Sequence, residues 1–150
     1  MAEPENGVRL VQQENYRFQA TFEGATIAPL VVDEPAPTGG GAGPSPVQSL
    51  ALAVGQCMSS TLHACFVRSH VGVRPITTSV RPILGRNARG RLRVTRLEVT
   101  IRAEPIDPAD EPKVKHCLEI FEDLCPVSGA VREGATITLT ARTEGDPVGM

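Results

Sequence analysis

One stretch constrains the fold more than any other. Between Ser45 and Ser69 the chain carries no charge before Arg68. Its large apolar residues, Val47, Leu50, Val54, Met58, Leu62 and Phe66, recur at intervals of three or four, the period of one helix face. Ser45 is a favourable N-cap, Pro46 suits the first helical position, and Gln48 falls where a capping box needs its second member. Ala51, Ala53, Gly55, Ser59, Ser60 and Ala64 take up much of the remaining surface. A helix with so little polar surface must be buried on most sides, and its small residues let neighbouring backbones come close. The spacing therefore predicts a helix at the centre of the fold or of a dimer.

The rest of the chain must supply what covers it. At 150 residues a single domain, 1–150, hides about 70% of its unfolded surface and needs no staple to fold. Asn15 to Phe22 alternates and reads as a strand, with Tyr16, Phe18 and Ala20 on one side. A turn at Glu23-Gly24 leads to a second strand, Thr26 to Val32, whose Pro29 marks an edge or a bulge. The run from Pro35 to Pro44 is a Pro/Gly-rich loop. Arg74–Leu84 and Arg91–Glu104 read as a long hairpin, and the apolar phase slips by one residue near Thr95-Arg96, the signature of a bulge. Asp107 and Pro108 open a second helix, with Val114, Cys117, Leu118, Phe121 and Leu124 as its stripe. A short helical turn is expected at Cys125-Pro126, then a last strand over Ala135–Thr143 with Ile137, Leu139 and Ala141 inward. The order β-β-α-β-β-α-β is an α+β pattern.

Several functions are disfavoured. A net charge of -2 provides no global attraction for nucleic acid or anionic lipid. With no Trp, one Tyr and four Phe, the chain is short of rings for stacking bases. Arg81, Arg86, Arg89, Arg91, Arg93, Arg96 and Arg102 crowd the hairpin. They read as a solvated face in a chain that prefers Arg to Lys. The longest apolar run, Leu50 to Val54, is too short to span a bilayer, and the first seven residues lack the features of a secretory signal. A cytoplasmic protein with no membrane or nucleic-acid partner is expected. His63, Cys65, His116 and Cys117 show no metal-ligand rhythm, so neither metal nor cofactor is expected. His70, at the end of the first helix, suits the negative end of its dipole.

The four cysteines, Cys57, Cys65, Cys117 and Cys125, are then expected to be reduced, reactive or buried rather than a disulfide framework. Cys57 and Cys65 lie eight residues apart on one helix, roughly 12 Å along its axis. Disulfides need Cα atoms within about 7 Å. Similar arithmetic separates Cys117 from Cys125 if their helix continues that far, so any internal bridge must join the two helices. Cys125 precedes Pro126, which places its sulfur at a helix N-terminus, where free N–H groups favour a thiolate. Cys65 and Cys117 read as core packing.

The segment Gly43-Pro44-Ser45-Pro46-Val47-Gln48-Ser49-Leu50, with Cys57 further along the same helix, resembles the OsmC/Ohr family of thiol peroxidases. So does Cys125-Pro126-Val127-Ser128, followed by Gly134 and a final strand. The resemblance implies an antioxidant, stress-response enzyme built as an intertwined homodimer. Cys57 would attack a hydroperoxide, organic or hydrogen peroxide, and become a sulfenic acid. Cys125 would condense with it to a Cys57–Cys125 disulfide, and an external dithiol would reduce that bond. Family enzymes set an Arg beside the reactive Cys and orient it with a Glu at the start of the central helix. Here Val47 and Gln48 stand in that stretch, and Arg17 is the nearby arginine in the N-terminal strands. The alternative is a non-catalytic dimer of the same fold that binds an apolar small molecule in its pocket.

Overall fold

A computed structural model describes residues 7–143 and Gly145. The elements follow in the order β1 (Val8–Glu14), β2 (Arg17–Phe22), β3 (Leu30–Val32), α1 (Pro46–Arg68), β4 (Thr77–Arg86), β5 (Leu92–Arg102), α2 (Glu111–Ile120) and α3 (Pro126–Glu133). Short 3-10 turns precede α2, at Pro108–Asp110, and follow it, at Phe121–Leu124. Strands β1, β2 and β3 form one antiparallel sheet in that order, and β4 and β5 form a separate hairpin.

Helix α1 begins where its cap dictates. The Gln48 N–H donates to Ser45 Oγ at 3.1 Å, and the Ser45 N–H donates to Gln48 Oε1 at 2.9 Å. At the far end His70 takes a left-handed conformation, φ 54°, and the Val71 N–H donates back to the Phe66 carbonyl at 3.0 Å. His70 thus closes the helix through its backbone. By length and composition α1 could cross a membrane, but in this fold it is the core helix. Val54, Met58, Leu62, Cys65 and Phe66 join Val71, Val114, Cys117, Phe121 and Cys125 in one buried cluster. A second stripe of small residues rests on β4. Ser59 Oγ and Thr78 Oγ1 share a hydrogen bond at 2.7 Å, and a Cβ added to Gly55 would lie 2.8 Å from Val80 Cγ2. Only glycine permits that approach.

The hairpin bulges where the apolar phase slips. Ile83 pairs with Arg96 and Leu84 with Val94, so Thr95 is the extra residue, and its hydroxyl donates to the Ile83 carbonyl at 3.1 Å. Asp107 caps the 3-10 turn that leads into α2, accepting from the Ala109 N–H at 2.9 Å.

Four expectations change. The N-terminal region holds three strands rather than two, because β1 has no alternation to betray it and all seven of its residues are exposed. The strand expected over Thr26–Val32 shrinks to Leu30–Val32, beginning after Pro29. No strand forms over residues 135–143, where Ile137 and Leu139 are 89% and 83% exposed. Among the described residues the segment is paired with none of the open sheet edges. Finally, Cys65 and Cys117 do not stay as reduced core residues. They form a disulfide between α1 and α2 with Cα atoms 5.7 Å apart. The bond does join two helices, as the spacing arithmetic required. Its sequence separation of 52 corresponds to about 4 kcal/mol of stabilisation in the chain-entropy model.

Candidate functional site

Two further sulfurs meet across the same pair of segments. Cys57 lies mid-way along α1, half-buried, and Cys125 is the N-cap residue of α3, 2% exposed; both are free thiols. The chain reverses at Cys125 because α2 ends at Ile120, a 3-10 turn follows, and Pro126 starts a new helix. The turn brings the Cys125 sulfur to the flank of α1, near enough to Cys57 that each thiol shifts the other's proton affinity.

Their surroundings drive the two apart electrostatically. Burial pushes the Cys57 thiol up, and the neighbouring Cys125 pushes it further; a backbone bond from Val127 and the Thr61 side chain only partly oppose this. Burial also disfavours the Cys125 thiolate. Hydrogen bonds from the Cys57 thiol, from the Ser128 side chain and backbone, and from the Val127 backbone outweigh it, and the net shift of Cys125 is downward. Cys125 is thus the member whose surroundings favour the thiolate, and the two protons titrate as a pair. Ser128 is itself buried, and its hydroxyl also reaches the Cys125 carbonyl at 3.4 Å.

Arg17 and Gln48 are engaged elsewhere. Arg17 stands beside Asp33, with Nε 4.0 Å from Oδ2. That carboxylate oxygen accepts from the Gly40 and Ala42 N–H groups at 3.2 and 3.1 Å, so Asp33 ties the Pro/Gly-rich loop to the end of β3. Gln48 completes the capping box with Ser45. Neither residue is among the groups that dominate the Cys57 environment, which are Cys125, Val127 and Thr61. Sequence reasoning missed Asp33, which carries no motif, and Thr61, one turn beyond Cys57.

An open groove of about 620 Å³ lies between α1, β5 and the α2–α3 segment. Leu50, Val54 and Met58 of α1, Leu97 and Val99 of β5, and Phe121 give it an apolar floor. Arg96, Glu122 and Arg132 stand at its rim, the last two as an ion pair. Ser128 lines it, so the groove reaches the residue that bonds Cys125. Among the described residues no cluster of His, Cys, Asp or Glu is arranged to hold a metal.

Comparison with known proteins places this architecture. The OsmC-like protein profile matches residues 39–140. No curated protein matches the sequence closely. Among solved structures, an OsmC-like protein of unknown function from Vibrio cholerae superposes with a TM-score of 0.70 at 14% identity, covering 87% of this chain and 94% of that one. An organic hydroperoxide resistance protein from Legionella pneumophila gives 0.59 at 15% identity, covering 84% and 89%. The Bacillus subtilis organic hydroperoxide resistance protein OhrB gives 0.56 at 18%, covering 85% and 92%. At these identities the likeness is one of fold, while the profile spans most of the sequence and contains all four cysteines. The chain belongs to the OsmC-like family.

Proposed function

We propose that the protein is a thiol peroxidase that reduces organic hydroperoxides through Cys57 and Cys125. The observation that carries this reading is the pairing of two free thiols, one on the core helix and one at a helix N-terminus, with their proton affinities pushed in opposite directions. Hydroperoxide resistance proteins among its structural neighbours support it. The aliphatic side chains on one wall of the groove, which reaches Ser128, suit organic substrates.

The pair supplies its own base. Cys57 holds its proton more tightly than an ordinary thiol and Cys125 less tightly, so the scheme starts from the pair with Cys125 ionised. As a hydroperoxide ROOH reaches Cys57, the more exposed sulfur, its proton passes to Cys125. The Cys57 thiolate attacks the distal oxygen, and the O–O bond breaks. Cys57 becomes a sulfenic acid, and the alkoxide RO⁻ takes the proton back from Cys125 as ROH. The regenerated Cys125 thiolate then attacks the Cys57 sulfur and expels hydroxide, leaving the disulfide. Two electrons have moved from the thiols to the peroxide, and an external dithiol restores them. In this scheme Cys125 does what a guanidinium would otherwise do.

The same reading includes cytoplasmic residence and a homodimer. Val8, Leu10, Val11 and Ile27 in the N-terminal region, and Ile137 and Leu139 near the other end, are all at least half exposed. A second copy of the chain would cover them and give residues 135–143 a strand edge to pair with.

The test is peroxide consumption with a dithiol reductant. The wild type should consume cumene hydroperoxide, Cys57→Ser should not, and Cys125→Ser should give a single sulfenate, formed more slowly for want of its base and without efficient turnover. A wild type that consumes neither cumene hydroperoxide nor hydrogen peroxide leaves the apolar-ligand reading, and binding of an apolar probe in the groove would then be measured. Light scattering during size exclusion checks the dimer.

A further inference from the structure

The four cysteines form two rungs between the same two segments. Cys57 and Cys65 are eight residues apart on α1, and Cys117 and Cys125 are eight apart on the α2–α3 segment. Cys65 pairs with Cys117 and Cys57 meets Cys125, so the pairing runs antiparallel and in step. We infer that the Cys65–Cys117 disulfide is a positioning device that holds the α2–α3 segment in register on α1 so that Cys125 stays opposite Cys57. The catalytic consequence rests on the peroxidase reading, but the register itself does not.

Three features support this role. The first is that the chain between the rungs is not one rigid helix. The α-helix ends at Ile120 and tightens into a 3-10 turn over Phe121–Leu124, so Cys117 and Cys125 do not share one α-helix. The segment is instead seated by side chains between the rungs, with Met58 and Leu62 on α1 and Phe121 opposite, all 6% exposed or less. A covalent tie at one end of that seat limits how the other end can slide. The second is that the two rungs cannot exchange sulfurs. Eight helical residues put them roughly 12 Å apart, beyond the reach of a disulfide. The third is access. Cys117 is fully buried and Cys65 is 4% exposed, whereas Cys57 is half-buried. A dithiol that resets the outer pair does not reach the inner one. One rung can cycle while the other stays closed.

The experiment has two parts on the full chain. Protein treated natively with dithiothreitol is alkylated, denatured without reductant and digested. The inference expects a peptide linked through Cys65–Cys117 together with an alkylated Cys57, and an alkylated Cys125 when the alkylating reagent is kept present through denaturation. Four alkylated cysteines would overturn it. Next, Cys65→Ala/Cys117→Ala is compared with the wild type, and so is Cys65→Val/Cys117→Ala, which refills the core if the first variant folds poorly. After one equivalent of cumene hydroperoxide, loss of the Cys57 thiol should slow, because Cys125 takes its proton in the first step. The dimedone-trappable sulfenate should outlive that of the wild type by roughly tenfold or more, since displacements near 1 Å cost rates on the order of a hundredfold. A variant that is less stable but closes its disulfide at the wild-type rate would reduce the rung to a staple and sink the inference. If the wild type proves inert to peroxides, the thiol oxidant diamide closes Cys57–Cys125 directly. The inference then expects slower closure in both variants, and equal rates would refute it without touching the question of activity.

Discussion

Gly55 sits two residues before Cys57 and sets how closely α1 lies on β4, so replacing it probes the seat of the whole site. Two effects of Gly55→Ala oppose each other. In a helix interior alanine is favoured over glycine by about 1 kcal/mol. Against this, the new methyl would lie 2.8 Å from Val80 Cγ2, closer than two carbons can pack. Valine is β-branched and has no free rotamer into which to retreat. Overpacking of this kind costs about 1–3 kcal/mol. The clash should win, with a net loss of about 1 kcal/mol and a fall in melting temperature of about 2–4 °C for a domain of this size.

The partner substitution turns this into a test of sign. Val80→Ala removes the opposing methyl and leaves Thr78 Cγ2, at 3.7 Å, in ordinary contact. In that background Gly55→Ala keeps its helix gain and loses its clash, so it should raise the melting temperature by about 2–4 °C. The reversal corresponds to a coupling of about 2 kcal/mol, well above the few tenths expected for sites that do not touch. Thermal unfolding by circular dichroism, with urea midpoints as a check, reads all four proteins of the cycle. If Gly55→Ala has the same effect in both backgrounds, the close approach of α1 to β4 is not what this glycine provides.

Ser45→Ala removes one half of the capping box and should cost about 1 kcal/mol, again measured by unfolding. Asp33→Ala deletes the acceptor for the Gly40 and Ala42 N–H groups. The loss should be about 2–3 kcal/mol, since bonds to a charged group are each worth about 1.5–3 kcal/mol, and limited proteolysis should cut first between residues 35 and 43. Cys57→Ala takes away a donor that holds Cys125 below its ordinary pKa. The thiolate absorbance of Cys125 should then develop at higher pH than the first thiolate of the wild type. An unchanged profile would remove Cys57 from the account of Cys125 ionisation.

What could be read from the residues, and what could not, divides along a physical line. The cap at Ser45 and Gln48, the bulge at Thr95, and the helix start after Cys125 depend on a few neighbouring residues, and all three appear where the chain chemistry puts them. β1 was missed because its side chains face no core in this chain, and alternation is a record of a buried face. The strand expected over Ala135–Thr143 has the right residues but is paired with no sheet edge, which composition does not reveal. Asp33 was invisible for a related reason. Its importance lies in two amides that a loop of glycines brings back to it.

The cysteines show the same division within one feature. Helix rise correctly forbids bonds along α1 and requires any bridge to cross between segments, yet it is silent about which crossing forms. Choosing the set Cys65–Cys117 and Cys57–Cys125 over Cys57–Cys117 and Cys65–Cys125 needs the antiparallel register, in which Leu62, Met58 and Phe121 pack in the core between the two pairs. Once it is fixed, the roles separate by access. The fully enclosed pair is closed by a bond, and the pair with one half-exposed member remains as thiols. The same packing that encloses one pair leaves the other near a groove that reaches Ser128, so stability and reactivity are divided between two rungs of one helix interface rather than asked of the same two sulfurs.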